Sequence, residues 1–166
     1  MQNILFLAVA VLSIWYFAVL VKYDLYKREP LWARGVAVLL GASLFTGGFF
    51  LSAWLCQVLP GGVGRGWRGV IVPAVCSSVC EDGAKVAGVL VIAFLCRGAF
   101  GADPFDGIVY GACVGVGAAV SEFAVTVLVT NVRGDAWAQL VCSSLGHPVL
   151  TGVGAAGIGL IGCRVR

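Results

Sequence analysis

Glu81, Asp82, Lys85, Glu122 and His147 are ionisable side chains set in stretches that are otherwise apolar, and His147 is the only histidine in the chain. A charge held at the centre of a membrane-spanning helix costs about 2.5–3.5 kcal/mol on insertion scales, so such residues are kept for a task. Two carboxylates and an imidazole that meet in a small cavity suit hydrolysis. Glu81 could take a proton from water as a general base. Glu122 and His147, with Glu81, could hold a divalent metal such as zinc, or His147 could stabilise a developing oxyanion. The same groups could instead form a structural polar knot or line an ion or proton pathway. The residue types alone leave the three readings open.

The elements that must carry these groups are helices in lipid. The chain has 166 residues, of which 60% are hydrophobic and 11% charged. A soluble domain would carry about 25% charged residues, so this chain is short of water-soluble surface. A spanning helix needs roughly 20 apolar residues in succession. Five segments meet that need, running from about Ile4 to Val21, Leu31 to Leu59, Val70 to Cys96, Phe105 to Thr130 and Ala136 to Cys163. The expected fold is all-α, a polytopic transmembrane bundle of about five spanning helices, forming a single membrane-embedded domain over residues 1–166. Met1-Gln2-Asn3 offers no basic n-region, so the first segment is read as a mature helix rather than a signal peptide. With five spans, Lys22, Lys27, Arg28, Arg34, Arg97, Arg164 and Arg166 fall on one side, against Arg65, Arg68 and Arg133 on the other. The excess of basic residues marks the cytoplasmic face, which puts the N-terminus outside and the C-terminus in the cytoplasm. Tyr23, Tyr26 and Trp32 then sit at the inner boundary, and Trp54, Trp67 and Trp137 at the outer one.

Counting along these segments brings the polar residues to a common level. At 1.5 Å per residue, Glu81 lies about 17 Å from the outer end of its helix, Glu122 about 12 Å and His147 about 16 Å. Lys85 projects between Glu81 and Asp82, one turn deeper, and can pair with either. Glycines at 107, 111 and 115, and the glycines crowding 152–162, are spaced to let backbones approach closely. The stretches Gly64–Gly69 and Gly152–Gly157 match G-x-G-x-x-G but follow no strand, so they read as a loop and a packing face rather than a dinucleotide site.

Other chemistries lack their signatures. A net charge of +3 with its basic residues in short connectors does not point to nucleic acid. There is no HExxH, GxSxG or GxGD motif. Ser143 and Ser144 precede His147 without a nucleophile elbow, and Asp106 is too far in depth to pair with Asp82. The seven cysteines form no CxxC pair. Cys76 and Cys80, one turn apart, could bind metal but read better as small packing residues.

Four blocks in order carry a family resemblance. They are Asp24 to Pro30 (D-L-Y-K-R-E-P), Glu81 to Lys85 (E-D-G-A-K), Asp106 to Gly111 (D-G-I-V-Y-G) followed by Gly115, Gly117 and Glu122, and Gly146 to Gly152 (G-H-P-V-L-T-G). Together they resemble the PrsW family of intramembrane proteases, relatives of the CAAX-processing and bacteriocin-processing membrane peptidases. The resemblance implies a membrane-embedded protease that cuts membrane-anchored proteins, with anti-sigma factors the known kind of substrate. It also implies a reactive centre of Glu81, Asp82, Glu122 and His147, in a bacterial cytoplasmic membrane. Lys85 would tune the carboxylates by charge pairing, and Asp106 and Tyr110 would be structural, capping their helix at its inner end. Asp82 stands where the family usually has a second glutamate, and Phe123 where asparagine commonly follows the Glu122 position.

Overall fold

A computed structural model of the chain describes residues 11, 12, 14–16, 18, 19, 22, 30–59, 68–96, 104–130 and 136–164. The described residues are helical with no strand. Those between 11 and 22 belong to the N-terminal helix α1. Four long helices follow: α2 (Leu31–Val58), α3 (Arg68–Leu95), α4 (Pro104–Thr130) and α5 (Ala136–Arg164). Their ends fall within two residues of the positions read from hydropathy. The D-L-Y-K-R-E-P block up to Glu29, the glycine-rich connector as far as Trp67, and the interfacial Tyr23 and Tyr26 lie outside the described residues.

Each of the four helices is about 40 Å long at 1.5 Å per residue, against a hydrocarbon core of about 30 Å. Among the described residues, Leu31–Val58 and Phe105–Thr126 are both long and apolar enough to cross a bilayer. In the first of them, Ser43 Oγ donates to the Leu39 carbonyl and Ser52 Oγ to that of Phe49, so these hydroxyls are satisfied within the helix. The outside of the bundle is apolar: Leu39, Phe50, Trp54, Val79, Leu90, Phe94 and Leu150 are all exposed. In water so much exposed apolar surface would drive association; in lipid it is the solvated face.

The interior is built around α4, whose residues 110–119 are all buried. It packs most extensively on α5 and next on α2, while α3 rests chiefly on α2. Small residues set these contacts. A Cβ added at Gly107 or Gly111 would strike Ala155, and one at Gly115 would come within 2.5 Å of the His147 carbonyl oxygen. The glycine stripe therefore faces α5 and fixes an antiparallel register of 107 against 155 and 115 against 147. The packing role expected for the glycines of the last helix holds for Gly152, where an added Cβ would lie 3.2 Å from the Ile108 carbonyl oxygen. It does not hold for Gly154 and Gly157, which have no atom within 4 Å of an added Cβ. Only one side of a helix can face a neighbour, and these two positions turn away from α4.

On its other side α4 runs parallel to α2. Gly41 sits against the Val114 carbonyl, and the Thr46 and Ser121 hydroxyls hydrogen-bond at 2.6 Å. Extending that register toward the helix starts carries Arg34 to the level of Asp106. These two are the charged residues among the buried ones described, at 2% and 5% exposure. The sequence counts Arg34 among the basic residues of one membrane side; it lies in the first turn of α2, and its side chain is inside the bundle. Asp106 occupies the first turn of α4, where a carboxylate offsets the helix dipole, and Tyr110, one turn on, is fully buried.

Replacing Gly41 by Ala should lower the unfolding free energy in mixed micelles by about 1–3 kcal/mol, because backbone rather than a flexible side chain occupies the space. Gly47→Ala, where nothing lies within 4 Å, should be neutral or stabilising by up to about 1 kcal/mol, since glycine disfavours a helix interior. Equal effects of the two changes in a detergent titration would show that the α2–α4 approach is not tight.

Candidate active site

Three residues within one turn of α2 touch the neighbourhood of each functional group. The Phe45 ring meets the His147 ring edge-on, with centroids 5.7 Å apart and planes at 65°. Thr46 bonds to Ser121, next to Glu122. Gly48 would place a Cβ 2.8 Å from the Cys80 carbonyl oxygen, next to Glu81. The helices α3, α4 and α5 thus present Glu81, Glu122 and His147 at one level of the bundle.

The structure joins two of them directly. His147 Nε2 and Glu122 Oε2 are 2.8 Å apart, with side chains 15% and 20% exposed. This contact ties α5 to α4 where Gly115 lets the two backbones close. Ser143, one turn before His147, donates from Oγ to Glu122 Oε1 at 3.2 Å, so each carboxylate oxygen has a partner. Phe45, 1% exposed, covers the imidazole. Pro148 follows inside the helix and has no N–H to complete the backbone ladder, so the ladder is interrupted immediately beyond His147. A carboxylate that accepts from one imidazole nitrogen orients the ring and leaves the other nitrogen for chemistry.

Glu81 and Asp82 are engaged separately. Ser77 Oγ donates to Glu81 Oε1, one turn away on α3. Lys85 Nζ pairs with Asp82 Oδ1 at 2.8 Å. Of the two carboxylates within reach of Lys85 on the helical wheel, Asp82 is therefore the one it takes. Asp82 is 72% exposed and Lys85 only 12%. Both line a cavity of about 320 Å³ with Val86 and Val89 of α3 and Leu150, Thr151, Gly154, Ala155 and Ile158 of α5. This cavity opens where α3 and α5 scarcely touch, one turn beyond His147 and Glu81. Adjacent positions on a helix point about 100° apart, which turns Asp82 to this cavity while Glu81 bonds Ser77. The structure does not bring Asp82 to the Glu122–His147 pair. Asp106 and Tyr110 are both remote from it, toward the start of α4.

Phe45, Thr46, Ser77 and Ser143 form the surroundings of these groups, and sequence reading singled out none of them for that role. Ser77 and Ser143 are each one helical turn before an ionisable residue on the same helix, a spacing that places side chains together and was legible as a pattern. Phe45 and Thr46 are on a different helix, and their place emerges only from packing.

An all-α bundle with an apolar exterior and a buried carboxylate–imidazole pair defines a membrane-embedded protein with the parts of a hydrolytic site. The chain belongs to the PrsW family of intramembrane metalloproteases, whose family model matches residues 29–165. It is accordingly an integral membrane protein of a peptidase family. No curated protein and no solved structure matches it.

The family description implies a metal. Glu122 and His147 supply two donors of suitable kind, a carboxylate oxygen and an imidazole nitrogen. A catalytic zinc takes three protein ligands, and among the described residues no group of three His, Cys, Asp or Glu side chains gathers at metal-holding distance. The donor set as placed falls short of a complete site.

Double-mutant cycles separate the two polar pairs. Glu122→Gln with His147→Asn should show a coupling of about 0.5–3 kcal/mol in the unfolding free energy, as expected for neighbours sharing a half-buried bond. Asp82→Asn with Lys85→Met should show about 0–1 kcal/mol, because one partner is largely exposed. A coupling at Glu122–His147 no larger than at Asp82–Lys85 would remove the pair from its central place.

Proposed function

We propose that the chain is an intramembrane peptidase that cleaves membrane-anchored protein substrates of the anti-sigma-factor kind. Glu81 acts as general base on the attacking water, and the Glu122–His147 pair stabilises the oxyanion that develops on the scissile carbonyl. The observation that carries this reading is the 2.8 Å contact between His147 and Glu122 inside an apolar bundle, at the level of Glu81. Peptide hydrolysis needs a proton acceptor for water and a donor for the carbonyl oxygen. A carboxylate held by Ser77 and an imidazole held by Glu122 are suited to those two tasks.

The remaining assignments follow the same geometry. Ser143 and Phe45 orient the pair through the second carboxylate oxygen and the ring edge. Asp82 and Lys85 act in support, as an ion pair on the wall of the cavity beyond the reactive level. Zinc, or another divalent ion, is the cofactor that the family description points to. The steps above are assigned to the chain's own side chains. The family points to a bacterial cytoplasmic membrane, and the distribution of basic residues favours an N-terminus outside and a C-terminus inside, which puts the reactive level in the outer half of the bilayer.

Glu81→Gln keeps shape and hydrogen bonding to Ser77 but cannot accept the proton. In proteoliposomes containing a single-span protein substrate, this change should reduce the cleavage rate about 10²- to 10⁴-fold, the usual contribution of general-base catalysis. The variant should unfold like the parent in detergent. Cleavage at the parental rate would sink the proposal.

A further inference from the structure

We propose that Cys56 on α2 and Cys76 on α3 are a redox-active pair that closes to a disulfide and ties the two helices together. The inference is independent of the peptidase reading. It begins with the register of α2 against α3. Gly48 would place a Cβ 2.8 Å from the Cys80 carbonyl oxygen and 3.2 Å from the Ala84 Cβ, so the two backbones run unusually close. Ser52 and Cys56 continue the Gly48 face at four-residue steps, and Cys76 precedes Cys80 by the same step.

The helices are antiparallel, since Gly48 of α2 lies against Cys80 and Ala84 while Gly88 of α3 lies against Leu44. A carbonyl points toward the C-terminal end of its helix, so Gly48 lies level with about residue 82 of α3. Two turns further along α2, a rise of about 12 Å, Cys56 comes level with about residue 74. Side chains lean toward the N-terminus of their own helix. From Cys56 that lean runs back along α2 to the level of residue 75, and from Cys76 it runs to the same level. The electrostatics agree with that placement: Cys76 is the side chain that acts most on the Cys56 thiol, and Cys80 comes next. Both thiols are free and only half-buried.

Oxidation needs a partner, and a small disulfide such as glutathione disulfide, or a disulfide-bearing oxidoreductase, supplies it. A thiolate of the pair attacks the donor's S–S bond, forming a mixed disulfide and releasing one thiol. The second cysteine then displaces the other thiol. The chain loses two protons and two electrons as Cys56–Cys76 forms, and the donor is reduced to two thiols. With the orientation proposed above, the pair lies in the outer half of the membrane, toward the compartment where disulfides persist.

The test uses the full chain in lipid nanodiscs, equilibrated in glutathione buffers from reducing to oxidising. Reaction is quenched with acid, free thiols are alkylated, and the protein is denatured and cut with trypsin, which cleaves at Arg65 and Arg68 between the two cysteines. The expected result is a loss of two of the seven alkylatable thiols, with one linked peptide pair joining Cys56 to Cys76. Cys76→Ser should abolish that link and Cys80→Ser should leave it. Full alkylation of Cys56 in the parent chain under the most oxidising buffer would overturn the proposal. So would a link from Cys56 to Cys80 that persists in the Cys76→Ser chain.

Discussion

The close approach of α4 to α5 at Gly115 is the constraint on which the candidate site depends. With only hydrogen at that position, the backbone of α4 reaches the carbonyl of His147, and the glycine stripe from 107 to 115 holds the same spacing along two turns. Glu122 is two turns beyond Gly115 on α4, and it meets His147 because the helices are already this close. The carboxylate is short relative to the span between ordinary helices, whose axes lie about 8–10 Å apart. A wider gap would leave an imidazole and a carboxylate buried without each other, each at the cost of an unsatisfied polar group in hydrocarbon. Small residues and polar residues are thus two parts of one arrangement.

The second face of α4 performs a different task. Its parallel contact with α2 sets the level at which everything else sits, through Gly41 at Val114 and the Thr46–Ser121 bond. Because α2 also carries Phe45 and Gly48, a single turn of that helix gauges the positions of α5 and α3 at once. The bundle is therefore anchored on α2 and α4, whereas α3 has few contacts beyond α2. This asymmetry leaves the cavity between α3 and α5, with Asp82 and Lys85 on one wall and Thr151 and Gly154 on the other.

Burial of charge follows the same economy at the other end of the bundle. Arg34 and Asp106 enter in the first turns of two parallel helices and are withdrawn almost wholly from solvent. Arginine tolerates such a place because its guanidinium remains charged and offers several donors in a fixed plane. Its hydropathy and its position just after Pro30 gave no sign of burial, since a charge at a helix start ordinarily faces the interface.

Read alone, the sequence determined the helices and the candidates. Apolar runs long enough to cross lipid have no alternative to helical hydrogen bonding, so the ends of α2 to α5 were legible to within two residues. Glu81, Glu122 and His147 stood out because charge in such runs is costly, and the rise per residue was enough to bring them to one level. Local neighbours at one-turn spacing, Ser77 with Glu81 and Ser143 with His147, were also within reach of pattern. What only the tertiary structure decided is rotation and contact. Depth along an axis follows from counting, but the direction in which a side chain points across the bundle depends on which small residues let which backbones close. That is why Glu122 and His147 meet, why Asp82 joins Lys85 on the cavity wall instead, and why Gly154 and Gly157 face open space although their spacing matches that of the glycines that pack.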